Sequence, residues 1–244
     1  MAYKHGVYTS EVPTSIIPAV NSMAGLPVII GTAPVHLATD RAEANKPVLC
    51  YSYAEAVQQF GFCDDWKNYT LCEAIYSQFA LYNVAPIVII NVLDPASHKE
   101  SVSDTEIQLS EKKAKIEAPV LLDTLKVKKA SAGEVLKQGT DYEVAYDEDG
   151  VLILTVLEKG QVAGASSVWM AYDKLTPETV EKTDIIGGIN PSDGNPKGLE
   201  AINKVFPMFG LVPGMVLAPG WSQDPEVAAV MRAKAVSYTH LTLP

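Results

Sequence analysis

The residues that build metal centres, disulfide scaffolds and membrane spans are few here, and those few are scattered. Three cysteines, Cys50, Cys63 and Cys72, are an odd number with no CxxC spacing. They read as reduced structural thiols of a protein made in the cytoplasm, not as a disulfide framework. Four histidines, His5, His36, His98 and His240, each stand alone. No HxH, HExxH or His–Cys pair supplies metal-ligand spacing, so neither a metal nor any other cofactor is expected. Positive charge is also short: 19 Lys and Arg against 29 Asp and Glu leave a formal charge of −10. That balance argues against neutralising nucleic-acid phosphates or docking on an anionic membrane. No stretch approaches the roughly 20 apolar residues of a membrane-spanning helix. The start, MAYKHGVYTSEVP, lacks the apolar core of a secretory signal.

What is present suits a globular chain, with 48% hydrophobic and 20% charged residues. Residues 1–26 carry Pro13, Pro18 and Gly25 between the apolar positions Val7, Tyr8, Val12, Ile16 and Ile17. Such a segment makes an extended arm but no core of its own. LPVIIGTAP (26–34) and APIVIINVLD (85–94) are short β-branched runs typical of buried strands. Between them, SYAE (52–55) and TLCE (70–73) match the capping box, and Leu71, Ile75, Phe79 and Tyr82 form one helical stripe. Residues 27–98 therefore read strand, helix, helix, strand.

From Lys99 the texture changes. Residues 99–178 hold 25 of the 48 charged residues, 10 positive and 15 negative. IEAPVLLDTLKVKK, DYEVAYDEDG, GVLILTVLEKG and SSVWMAYDKL alternate at strand period, with DEDG (147–150) as a hairpin turn. A small, mostly antiparallel β-sandwich-like domain inserted in the α/β chain is expected, its charges lying on solvated strand faces. Residues 179–235 return to strand and helix alternation. GLEAINKVF reads as a helix through Leu199, Ile202 and Phe206, LVPGMVLAPGW as a strand, and residues 225–235 as a helix capped by Asp224 with Pro225 at its first position.

No constellation here makes an active site. GWSQD (220–224) has Asp224 where the nucleophile turn G-x-S-x-G requires glycine. Ser222 reads as a turn residue; an α/β hydrolase-like enzyme built on it is the alternative to weigh. GGINPSDGNPKG precedes a helix, but Gly198 follows Lys197 where a phosphate-binding loop needs Ser or Thr, so a plain long loop is expected. Asp64 with Asp65, and Asp147 with Asp149, lie in turn-like contexts. A second alternative is a carbohydrate-binding or adhesion module made by residues 99–178.

Several stretches taken together resemble the tail sheath proteins of contractile-tailed bacteriophages and related prophage particles. They are AYKHGVYTSEVPTSIIPAVNSMAGLPVIIGTAPVH, APIVIINVLDP, DIIGGINP with GLEAINKV, and LAPGWSQDPEVAAVMRAKA. The resemblance covers nearly all of residues 2–235. It implies a structural, non-enzymatic protein of the virion tail, assembled in the host bacterial cytoplasm. Subunits of that family polymerise around a tail tube and contract to drive it through the bacterial envelope. The implied partners are further copies of the chain, the tube protein, and baseplate and tail terminator proteins, with no nucleic acid and no membrane insertion. Phage, defective prophage and tailocin are not separated. It also implies that residues 1–26, through Val7, Tyr8, Val12, Ile16 and Ile17, reach a neighbouring subunit, packing on their own subunit being the alternative. Family members continue beyond the last helix, so residues 179–235 are expected to begin an incomplete subtilisin-like α/β domain of an N-terminal fragment. The family label carries no catalytic triad.

SYTHLTLP, at the end, has neither helical period nor charge. Residues 236–244 match at every position the translated frame of a common sequencing-library transposase adapter. From about Ser237 onward a non-native tail is expected, with a variable natural tail as the alternative.

Overall fold

A computed structural model describes residues 25–239, and the side chains up to residue 237. The arm candidates Val7, Tyr8, Val12, Ile16 and Ile17 lie outside the described residues, as do residues 240–244.

The apolar run at the start becomes β1 (Leu26–Gly31), followed by β2 (Val48–Cys50), α1 (Tyr53–Phe60), α2 (Thr70–Ile75), a π-helical turn (Tyr76–Leu81) and β3 (Ile87–Asn91). Every residue of β1 and β3 is buried. That matches strands covered on both faces, which need continuous instead of alternating apolar residues. β2, too short to leave a pattern, was not anticipated.

Ser52 caps α1 as expected: its Oγ accepts from Glu55 N at 3.2 Å, while the Glu55 carboxylate accepts from Tyr51 N at 2.8 Å. The second capping box does not form. Thr70 is buried against the end of β1, where it and Thr32 exchange backbone-to-hydroxyl bonds of 3.3 and 3.1 Å. Tertiary contact takes the hydroxyl, and α2 starts without a side-chain cap. Leu71, Ile75 and Phe79 are buried as the stripe requires, but Tyr82 is 73% exposed. The π-helical turn adds a residue per turn and rotates the stripe off the core.

The charged middle of the chain forms β4 (Lys99–Gln108), β5 (Lys113–Ile116), β6 (Lys126–Lys128), β7 (Tyr142–Tyr146), β8 (Leu152–Val156) and β9 (Ser167–Leu175). They pair antiparallel in two three-stranded sheets, β4-β9-β6 and β5-β8-β7. Their inward residues, among them Leu152, Leu154, Val168 and Met170, form a hydrophobic cluster of their own. The DEDG turn joins β7 to β8, with Asp147 accepting from Asp149 N and Val151 N. β4 escaped the sequence reading because both its faces are largely polar and exposed.

The remainder comprises α3 (Lys182–Ile186), the two-residue strands β10 (Gly188–Ile189) and β11 (Pro196–Lys197), a 3₁₀ helix (Gly198–Lys204), α4 (Val205–Phe209), β12 (Pro213–Leu217) and α5 (Pro225–Thr239). β12 joins the first strands in a mixed sheet of order β12-β1-β3-β2, parallel except for the β2–β3 pair. The expected helix through Phe206 is 3₁₀ in its first part. At three residues per turn, Leu199, Ile202 and Val205 face the core, and Phe206 is 53% exposed. The glycine-rich loop is a small hairpin, β10 with β11. Gly187, at φ 68°, approaches Lys197 so closely that a Cβ there would overlap its carbonyl. Asp224 caps α5 as expected, accepting from Glu226 N at 2.8 Å. That helix runs to Thr239 instead of stopping at Ala235. Ser237 is accommodated by donating back to the Lys234 carbonyl at 2.7 Å.

Candidate interaction surfaces

Buried polar groups fix the ends of the central strands. Asn91 opposes Gly31 across the β1–β3 pair. Its Oδ1 accepts from Ala33 N at 3.0 Å and Leu93 N at 3.1 Å, and its Nδ2 donates to the Leu93 carbonyl at 2.9 Å. Asn45 links the same end to the 3₁₀ helix, accepting from Gly198 N at 2.8 Å. The segment containing β4–β9 is rooted in this core through Leu121 and Leu175. An Arg41–Asp123 ion pair of 3.2 Å joins the two regions at the surface.

A cleft of about 590 Å³ opens where the two regions meet. Its lining is strongly acidic, with Asp64, Asp65, Glu117, Glu148, Asp149 and Glu178. The lysine among its lining residues, Lys174, is already paired to Glu100 at 2.9 Å. His36 forms part of the wall, its ring 5.8 Å from Tyr69 on one side and 5.5 Å from Tyr146 on the other. Burial pushes its pKa down to about 4, and its Nδ1 has no hydrogen-bond partner. It is a neutral aromatic spacer between two layers. His98 sits where the chain passes from the α/β part into β4. Its Nδ1 accepts from Asp94 N at 3.1 Å, and its Nε2 lies 3.6 Å from an Asp184 carboxylate oxygen.

Beside the cleft runs a row of aromatic rings, which the sequence reading missed. Tyr53, Phe62, Tyr76 and Trp66 follow one another at centroid distances of 5.6, 6.3 and 6.0 Å. Trp66 and Tyr76 are exposed. The signal available was the density of aromatic residues between positions 51 and 82.

A third surface is the free side of β12. Among the described residues that strand is the edge of its sheet. Its sequence, PGMVL, carries no charge, and Met215 is 50% exposed. Phe206, Met208 and Val212, immediately upstream, are exposed as well. Uncharged edges of this kind accept further strands.

Among the described residues no hydrogen bond joins Ser222 to a histidine. Ser222 is exposed in the turn before α5, and its side chain makes no hydrogen bond among the described residues. His36 packs between Tyr69 and Tyr146, and His98 is held by Asp94 and Asp184. Asp65 accepts from Asn68 N and Nδ2, as a turn residue does. Among the described residues no group of three His, Cys, Asp or Glu side chains is placed to hold a metal ion, and no helix is long and apolar enough to cross a membrane.

No protein-family model matches the chain. Among curated proteins, the tail sheath protein of Burkholderia phage BcepMu is 28% identical over 237 residues, which is 96% of this chain and 46% of that protein. The match supports a tail sheath family member. The chain spans about half the length of this sheath relative. Aligned positions run through the α/β sheet and the β4–β9 segment alike, so the resemblance is not confined to one motif. A tail sheath protein is a structural component of a virion, and the hydrolase alternative is not favoured.

Proposed function

We propose that this chain belongs to a structural subunit of a contractile tail sheath, which polymerises around a tail tube and shortens to drive it through a bacterial envelope. The observation that carries the reading is the match to a phage tail sheath protein along almost the whole chain. The partners in this reading are further copies of the subunit, the tube protein, and baseplate and terminator proteins. Assembly takes place in the host cytoplasm. Residues 27–98 and 179–235 form one α/β domain of the subtilisin-like sheath type, and residues 99–178 an inserted β domain.

A polymer that contracts without falling apart needs some contacts that switch and others that survive the switch. Residues 1–26 suit the second kind, with Val7, Tyr8, Val12, Ile16 and Ile17 as anchors. The uncharged edge of β12 is a fitting acceptor for such an arm from a neighbouring copy. Each added main-chain hydrogen bond contributes about 0.5–1.5 kcal/mol net. Some four of them hold one pair weakly, but a subunit gripped by several neighbours at once is held far more firmly. Head-to-tail contacts of this sort grow open helical or stacked-ring assemblies instead of closing as dimers.

Electron microscopy of the complete gene product, expressed with its tube protein, tests the reading. Striated cylinders are expected, and deletion of residues 1–24 should abolish them while leaving a folded subunit. A product that stays a single particle at high concentration beside its tube overturns the proposal.

A further inference from the structure

The segment containing β4–β9 leaves and rejoins the α/β part beside one histidine. His98 stands between β3 and β4, and its carbonyl accepts from Thr176 N at 3.1 Å just after β9. The two crossings of the chain are therefore tied together at its main chain. Its side chain, 12% exposed, lines an open cavity of about 400 Å³ together with Asp94, Asp184 and Lys197. The two ring nitrogens meet different groups. Nδ1 accepts from Asp94 N at 3.1 Å, so the neutral ring carries its proton on Nε2. Nε2 lies 3.6 Å from Asp184 Oδ2, too far for a hydrogen bond but within ion-pair range. Asp184 is pinned in the first turn of α3, its Oδ2 accepting from Glu181 N at 2.9 Å. The Asp94 carboxylate is committed to its own turn, accepting from Ala96 N at 2.9 Å and Ser97 Oγ at 3.2 Å.

We propose that His98 is a proton-operated clasp that exchanges partners as the medium acidifies, giving up the β3–β4 turn and closing on α3. A proton arriving through the cavity has one place to bind, Nδ1. There it turns Nδ1 into a donor facing the Asp94 N–H, itself a donor, and that hydrogen bond is lost. The ring now carries a full positive charge opposite a fixed carboxylate. The gap between Nε2 and Asp184 Oδ2 closes to a charge-assisted hydrogen bond. Lys197, on β11, opposes the added charge, but it is exposed and screened by solvent. The turn itself survives, because the Asp94 carbonyl still accepts from Ser97 N at 3.0 Å and His98 N at 2.8 Å. The joint is what moves: His98 draws the entry to β4, and Thr176 with it, towards α3.

This inference does not depend on the sheath reading. It is tested on the whole chain by hydrogen exchange at about pH 7.5 and about pH 5, either side of the histidine range, corrected for the pH dependence of exchange itself. Protection of the Asp94 amide should fall about tenfold on acidification, the loss of one hydrogen bond. The Leu93 amide, held by Asn91 Oδ1 at 3.1 Å, is the internal control and should keep its protection. His98→Asn places an uncharged acceptor near the position of Nδ1 and should make the Asp94 protection independent of pH. Asp184→Asn removes the counter-charge and should move the midpoint of the change to lower pH. NMR of the ring nitrogens in the unaltered chain keeps the matter decidable if a variant does not fold: at the higher pH, Nδ1 should be the bare nitrogen. A proton on Nδ1 at that pH, equal Asp94 protection at both, pH dependence retained in His98→Asn, or an unmoved midpoint in Asp184→Asn would each overturn the proposal.

Discussion

The mixed sheet and the β4–β9 segment solve the same problem, burying one set of strands, in opposite ways. In the mixed sheet β1 and β3 are apolar apart from Asn91 at the end of β3, and every one of their residues is buried. In the segment, β8 alternates: Leu152, Leu154 and Val156 are buried, with Ile153 and Thr155 half-exposed between them. The edges differ more sharply still. Each edge strand of the segment carries charge: Lys113 and Lys115 on β5, Lys126 and Lys128 on β6, Glu143 on β7, and Lys99, Glu100, Asp104 and Glu106 on β4. Charged side chains at an edge discourage further pairing. β12 has none. The segment is built to end where it ends, whereas the mixed sheet keeps a surface on which another strand can lie.

The largest expected effect probes whether the two regions melt together. Ile89, at the centre of β3 and fully buried, belongs to the main core and not to the segment's cluster. Ile89→Ala should cost about 2–5 kcal/mol through lost burial and the cavity left behind. The three tryptophans separate the regions, since Trp169 lies on β9 while Trp66 and Trp221 belong to the α/β part. Single-tryptophan variants should report an earlier transition at Trp66 and Trp221 and an unchanged one at Trp169. A single shifted transition at all three would show that the regions form one cooperative unit, and the contrast drawn above would then be one of pattern alone.

A somewhat smaller effect acts on the seam. His36 has a folded-state pKa near 4 against about 6.5 unfolded. The unfolded chain therefore binds the extra proton first as pH falls, and stability drops between about pH 6.5 and pH 4 while staying flat above that window. The loss amounts to about 3 kcal/mol across the window. His36→Leu should remove most of this slope, measured by urea denaturation at successive pH values. An unaltered slope would mean that Tyr69 and Tyr146 do not enclose the ring in solution, loosening the joint between the two regions.

What could be read in the sequence follows from the same contrast. β1 and β3 were visible because residues such as Ile29, Ile30, Ile89 and Ile90 need no partner information to look buried. β8 was visible because period two survives in five residues. The misreadings arose where another element changed the local rule: Thr70 serves Thr32 instead of capping, the π-helical turn carries Tyr82 outward, and the 3₁₀ turn replaces Phe206 with Val205 in the core. β4, polar on both faces, is specified by its neighbour β9 and left no signature. The surfaces were least legible. A row of rings from residues 53, 62, 66 and 76 exists only once α1 and α2 are packed.

The smallest expected change in stability tests the open edge directly. Met215 is half-exposed on β12 and opposes Pro27 of β1 in the register. Met215→Lys gives this edge the feature that the segment's edges already have. Because the site is exposed, the subunit's stability should move by no more than about 0.5 kcal/mol. Association should respond far more: sedimentation of the parent chain should show concentration-dependent self-association, and the variant should remain monomeric over the same range. The matched control is Lys115→Met on β5, which strips charge from an edge of the segment and should make that edge adhesive. If Met215→Lys associates as the parent does while folding equally well, β12 is not the contact that holds copies together. The difference between the two kinds of edge would then be without mechanical consequence.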